Sequence, residues 1–103
     1  MYRIVFTLLT LITIIACGGN NSHNQTAGID GEAIFKSKCV VCHGIDGKLG
    51  LNGSKDLTVS KVTEAERIVQ ITKGKGTMTP FEGILTPDEI KAVAAYSMTL
   101  SAK

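Results

Sequence analysis

The chain has 103 residues, with 11 Lys+Arg against 9 Asp+Glu and 44% hydrophobic residues. That length admits one small domain, and a formal net charge of +2 leaves no basic excess for gripping a nucleic-acid backbone. The hydrophobic share is inflated by the first residues, and the rest of the chain is of ordinary composition.

Met1 to Arg3 supply one positive charge, and Ile4 to Ala16, "IVFTLLTLITIIA", carry none. Thirteen apolar or Thr residues are too few to span a bilayer, which takes roughly 20. They suit the h-region of an export signal. "IIACGG" resembles a bacterial lipoprotein signal through Ile14, Ala16 and Cys17. The resemblance implies a signal peptide over 1–16 and a lipid on Cys17, the first residue of the mature chain. The competing reading is an ordinary signal peptide with an incidental cysteine. Removing 1–16 takes away Arg3 and leaves 10 cations against 9 anions.

"GGNNSHNQTAG", Gly18 to Gly28, has no apolar period, so 17–28 reads as a flexible tether. His23 within it reads as a solvated residue. The folded domain is then 29–103, and a core of 75 residues is marginal without a staple.

Three main helices are predicted, with no strand. The first opens at "IDGEAIFKSKC", where Asp30 caps and Glu32 suits the positive end of the helix dipole. "GIDGKLGLNGSKD" comes next, with four glycines in thirteen residues, and supports no regular element. The second helix is "TEAERIVQITK", with Thr63 and Glu66 as a capping box and Gly74 as its stop. Its apolar spacing places Ala65, Ile68, Val69 and Thr72 on one face. "GKGTMTPFEGIL" is a Gly/Pro loop. The last helix opens at "TPDEI", with Thr86 capping, Pro87 in the first turn and Glu89 closing a second box. Ile90, Val93, Ala94, Ser97 and Leu100, with Tyr96 nearby, form its buried face. The fold class is all-α, with loops long enough to need something to pack on.

The chemistry lies in "KCVVCHGIDG". On a helix, Cys39, Cys42 and His43 at i, i+3 and i+4 share one side. Zinc wants four ligands, and no second cluster supplies the missing one. A reactive dithiol wants a thiolate at a helix N-terminus, whereas this pair falls late in the first helix. The remaining reading is covalent haem: C-x-x-C-H is the c-type attachment signature, with each thiol on a vinyl group and the histidine towards the iron. An iron used for electron transfer takes a second axial ligand, and a methionine thioether favours the ferrous form. Met78, 35 residues after His43, lies in a loop between Gly76 and Pro80, where a core gap-filler is not expected. Met98, on the last helix, is the rival.

With these residues the chain resembles the class I cytochrome c family of small monohaem electron carriers. "GEAIFKSKCVVCHGIDGKLG" is similar to that family's first helix and haem-binding turn, and "MTPFEGILTPDEIKAVAAY" to its methionine loop and last helix. The resemblance implies a cytochrome c-like fold, three main helices and loops wrapped around one haem. Cys39 and Cys42 then bond the haem c covalently, and His43 and Met78 ligate its iron. Gly31, Phe35 and Tyr96 match the family's close helix crossing, with Phe35 and Tyr96 beside the haem. Two departures stand out. Many members have proline where this chain has Lys55 in "SKDL", the position whose carbonyl orients the histidine ring in the family. Thr79, not proline, follows Met78.

The implied function is one-electron transfer rather than enzymatic catalysis. The protein is expected to be an exported monomer, lipid-anchored at a bacterial membrane on the periplasmic or outer face. Its partners are a redox donor and acceptor, not nucleic acid. Lys48, Lys55, Lys73 and Lys75 are candidates for steering acidic partners. The alternatives are a haem-bearing subunit of a larger oxidoreductase, or an open-site haem protein binding a small ligand.

Overall fold

The computed structural model describes residues 28–102. The leader, the candidate lipidation site Cys17 and most of the tether lie outside them. Four helices occur in chain order: α1 Gly31–Lys38, α2 Val40–His43, α3 Glu64–Lys73 and α4 Pro87–Thr99. Single 3₁₀ turns occupy Leu51–Gly53 and Leu100–Ala102. Among the described residues no strand forms, so the architecture is the all-α one expected.

The caps fall where the side-chain chemistry puts them. Asp30 Oδ1 accepts from the Ala33 N–H at 3.1 Å and starts α1. Thr63 and Thr86 each accept from the N–H three residues on, while Glu66 and Glu89 reach back to the cap N–H, so both capping boxes are complete. Gly74 stops α3 at φ 71°, its N–H on the Gln70 carbonyl.

The first helix is shorter than its sequence pattern. It ends at Lys38, and Cys39, at φ −114°, turns the chain before α2 begins. Both Cys42 N–H (3.3 Å) and His43 N–H (3.0 Å) then return to the Cys39 carbonyl, which tightens this turn.

The core is the junction of α1, α3 and α4. Phe35, Ile71, Ile90, Val93, Ala94 and Leu100 are buried there with Leu57 and Leu85 from the loops. The buried face of α4 is the one its spacing indicated. That of α3 is not: Val69 is 60% exposed and Ala65 is exposed, while Arg67 and Ile71 turn inward beside the half-buried Ile68. A guanidinium occupies the place that apolar periodicity assigned to Val69.

Gly31 sets the spacing of α1 on α4. A Cβ there would collide with the Ala92 carbonyl oxygen, so the two backbones touch without a side chain between them. Gly31→Val forces the helices apart; in guanidinium unfolding of the haem-loaded protein it is expected to cost about 1–3 kcal/mol.

Glu66 gives the fold an acid limit. Its carboxyl accepts from the Thr63 N–H and hydroxyl, which hold its pKa below the ordinary 4.5. The folded value is the lower one, so this stabilisation is full above pH 4.5 and is lost as pH falls below it. Melting curves from pH 7 to 3 should show a shallower acid loss in Glu66→Gln, which keeps the cap but does not titrate.

Candidate functional site

Cys39 sits in the turn between α1 and α2, and Cys42 and His43 end α2. Both cysteines are unbridged and half-buried. Burial pushes the Cys39 thiol up to about 11, so near neutral pH it is a thiol, not the thiolate that disulfide exchange or zinc binding uses. Among the described residues no three His, Cys, Asp or Glu side chains are placed together to hold a metal ion.

His43 is oriented by backbone. Its Nδ1 lies 3.3 Å from the Lys55 carbonyl. A carbonyl only accepts, so Nδ1 carries the proton and Nε2 keeps its lone pair. The departure at Lys55 therefore leaves the orienting contact in place, because it uses the carbonyl rather than the side chain. Burial lowers the His43 pKa most; the Lys55 carbonyl opposes this, and the charge of Arg67 adds to the lowering. All favour the neutral imidazole except the carbonyl contact.

Met78 comes from the loop after α3. Phe81 N–H and Glu82 N–H bond to the carbonyls of Ile71 (2.9 Å) and Thr72 (3.2 Å), folding the segment back along the end of α3. Lys73 Nζ pairs with Glu82 Oε2 at 2.9 Å across the same closure. Lys73 is thus partnered, whereas Lys48, Lys55 and Lys75 are exposed. Met78 N–H bonds to the Lys75 carbonyl at 3.0 Å, and Thr77 Oγ1 donates to the Asn52 carbonyl at 2.9 Å. The last bond ties the methionine loop to the loop that leaves the C-x-x-C-H turn. Met78 packs half-buried on the core, as do Cys39 and Val40. Met98 is also half-buried, on α4.

Phe35 and Tyr96 meet at the α1/α4 crossing, ring centroids 5.3 Å apart and planes at 54°. Phe35 is fully buried and Tyr96 half-buried. The structure adds Arg67, 4% exposed, with Nη1 3.1 Å from Ser97 Oγ and no partner for Nε among the described residues. Charge-based reading puts an arginine outside, so nothing in the sequence pointed to it. Leu57 and Leu85 were equally silent, since neither belongs to a periodic run.

This donor set fits a covalently held haem. It offers two unbridged thiols on one turn, an imidazole with Nε2 free, and a thioether on a loop tied by Thr77 to the loop that follows that turn. An apolar plate with two vinyl groups and a central iron answers each of these.

A family model described as "Cytochrome C oxidase, cbb3-type, subunit III" matches residues 26–96. A cytochrome c6 of Leptolyngbya boryana is 37% identical over 79 residues, covering 71% of this chain and 92% of that protein. A cytochrome c6 of Microcystis aeruginosa is 38% identical over 80 residues, covering 72% and 98%. Among solved structures, "KustC0563 c-type cytochrome" superposes with a TM-score of 0.63 at 32% identity, over 70% of this chain and 98% of that one.

The methionine loop has one narrow point. A Cβ on Gly74, at φ 71°, would lie 2.5 Å from the Met78 carbonyl oxygen and 2.9 Å from the Pro80 nitrogen. Gly74→Val combines backbone strain with overlap and should destabilise the haem-loaded protein by about 1–3 kcal/mol in denaturant titration.

Proposed function

Since the chain belongs to the class I cytochrome c family of monohaem carriers, we propose that it is a His/Met-ligated electron carrier tethered to a membrane outside the cytoplasm. It carries one covalently bound haem c, is an electron-transfer protein and works with redox partners. In this reading Cys39 and Cys42 would hold the haem through thioethers, and His43 Nε2 and the Met78 sulfur would ligate its iron. When bound, the haem supplies a one-electron ferrous/ferric couple.

The observation that carries the reading is the His43–Lys55 contact. It leaves Nε2 free to ligate and orients the ring on the turn that bears both thiols. A carbonyl partner also makes the imidazole a stronger donor. Met78 completes the set from a loop closed by backbone bonds. With both iron ligands supplied by the chain, no open site would remain for a substrate. Phe35 and Tyr96 brace the helix crossing that leads into the turn bearing the thiols.

The anchor is the second part of the proposal. Cys17 takes a lipid after cleavage of 1–16, and 17–28 let the domain, 29–103, travel between donor and acceptor. No described helix is long and apolar enough to cross a membrane. The domain acts as a monomer at the periplasmic or outer face. The family model's description, an oxidase subunit, favours one second reading, in which the same domain hands electrons to a larger oxidoreductase.

Expression with cytochrome c maturation proteins tests the site and the anchor together. A pyridine haemochrome spectrum and intact mass should report one haem held by two thioethers, plus the mass of a lipid on Cys17. Met78→Ala should keep the haem, lose the far-red methionine–iron band, bind carbon monoxide readily when reduced, and lower the midpoint potential. A wild-type protein that already binds carbon monoxide readily would reassign it as an open-site haem protein.

A further inference from the structure

One hydrogen bond joins the loop after His43 to the loop that carries Met78. Residues 44–57 fold back on the histidine side: the Leu49 N–H bonds to the His43 carbonyl and the Leu57 N–H to the Gly47 carbonyl, both at 2.9 Å. Residues 74–86 carry Met78. Between them, Thr77 Oγ1 donates to the Asn52 carbonyl at 2.9 Å, across 25 positions of sequence. Among the described residues no other hydrogen bond runs from one loop to the other.

Both ends of that bond are set by backbone conformation. Asn52, at φ 53° and ψ 32°, is the one non-glycine residue at positive φ among the described residues. Asparagine is one of the few residues that enter the left-handed region. Gly53 beside it and Gly76 beside Thr77 also have positive φ, 75° and 59°. A Cβ on either would meet nothing within 4 Å. Packing therefore does not call for glycine at 53 or 76, but the backbone does. Threonine adds a stiff χ1, which limits where its hydroxyl points.

The remaining bonds of the methionine loop stay on their own side. Met78 N–H returns to the Lys75 carbonyl, and Phe81 and Glu82 bond to the last turn of α3. Lys73 pairs with Glu82 there too. A loop that swings away from the histidine side can keep all of these. It must break the Thr77 bond and lift Met78 from its packing on the core.

We propose that Thr77 is a positioning residue for Met78: its hydroxyl latches the methionine loop to the Asn52 carbonyl and lowers the fraction of molecules in which the thioether is off the iron. The bond is exposed, so water competes for both partners. A net hydrogen bond of this kind shifts an equilibrium by roughly 2- to 10-fold. The inference rests on the His/Met reading above and gives a role to a residue outside the attachment motif and the ligand pair.

Imidazole titrated into the ferric, haem-loaded protein reads that fraction. It binds where Met78 has left, so its apparent affinity rises with the open fraction. Haem content and the far-red methionine–iron band of the wild type are read first. If either is missing, the His/Met reading fails, and this inference with it. With both present, Thr77→Val, which keeps the shape and loses the hydroxyl, should bind imidazole roughly 2- to 10-fold more tightly. Thr77→Ser should return most of the way. Thr79→Val, exposed in the same loop, should match the wild type. In a Met78→Ala background Thr77→Val should change nothing, because no thioether is left to hold. Equal affinity in wild type and Thr77→Val overturns the latch. So does an equal gain in Thr79→Val, or a gain that persists in Met78→Ala, since either is independent of the bond or of the ligand.

Discussion

Everything in the domain is hung on one contact, the crossing of α1 over α4 with no side chain between Gly31 and the Ala92 carbonyl. Close approach there lets Phe35 reach the centre of the core and lets Tyr96 stack against it. α1 ends at Lys38. The turn at Cys39 comes directly after, and with it the placing of Cys42 and His43. The chemistry is thus positioned by a backbone contact one helix turn and more upstream, on the most buried elements of the fold. Precision at the turn is inherited from that rigidity rather than generated locally.

The two sides of the candidate haem site are held by different means. On the histidine side, the ring is oriented through the Lys55 carbonyl, and the thiols stand on a tightened turn. On the methionine side, a loop is folded back by Phe81 and Glu82 onto the end of α3 and tied to the opposite loop by Thr77. Backbone groups make most of these ties. That explains why a lysine replaces a frequent proline at 55 without loss of the contact. It also explains why Thr79 after Met78 is tolerated: the bonds that shape the loop fall at 75, 78, 81 and 82, not at 79.

Much of this was legible because it depends on local chemistry. Caps, boxes, the glycine stop at 74 and the inner face of α4 need only neighbours three or four residues away, and they appear where the pattern put them. The attachment signature is local too. What sequence could not show was non-local. Cys39, at φ −114°, turns the chain between α1 and α2 with no glycine or proline there to announce it. Leu57 and Leu85 become core because loops return over the helices.

The inner face of α3 is the instructive failure, and it shares a cause with the fold's main oddity. Periodicity ranks side chains by transfer to an apolar phase, so Val69 outranks Arg67 for burial. That ranking assumes the core is made only of polypeptide. A core completed by a cofactor does not have to follow it, and here Arg67 is held inside through Nη1 on Ser97 Oγ. The same fact accounts for a domain of 75 residues with so few large buried side chains, Phe35 and Val93 being the largest that are wholly enclosed. Its interior is shared between chain and haem.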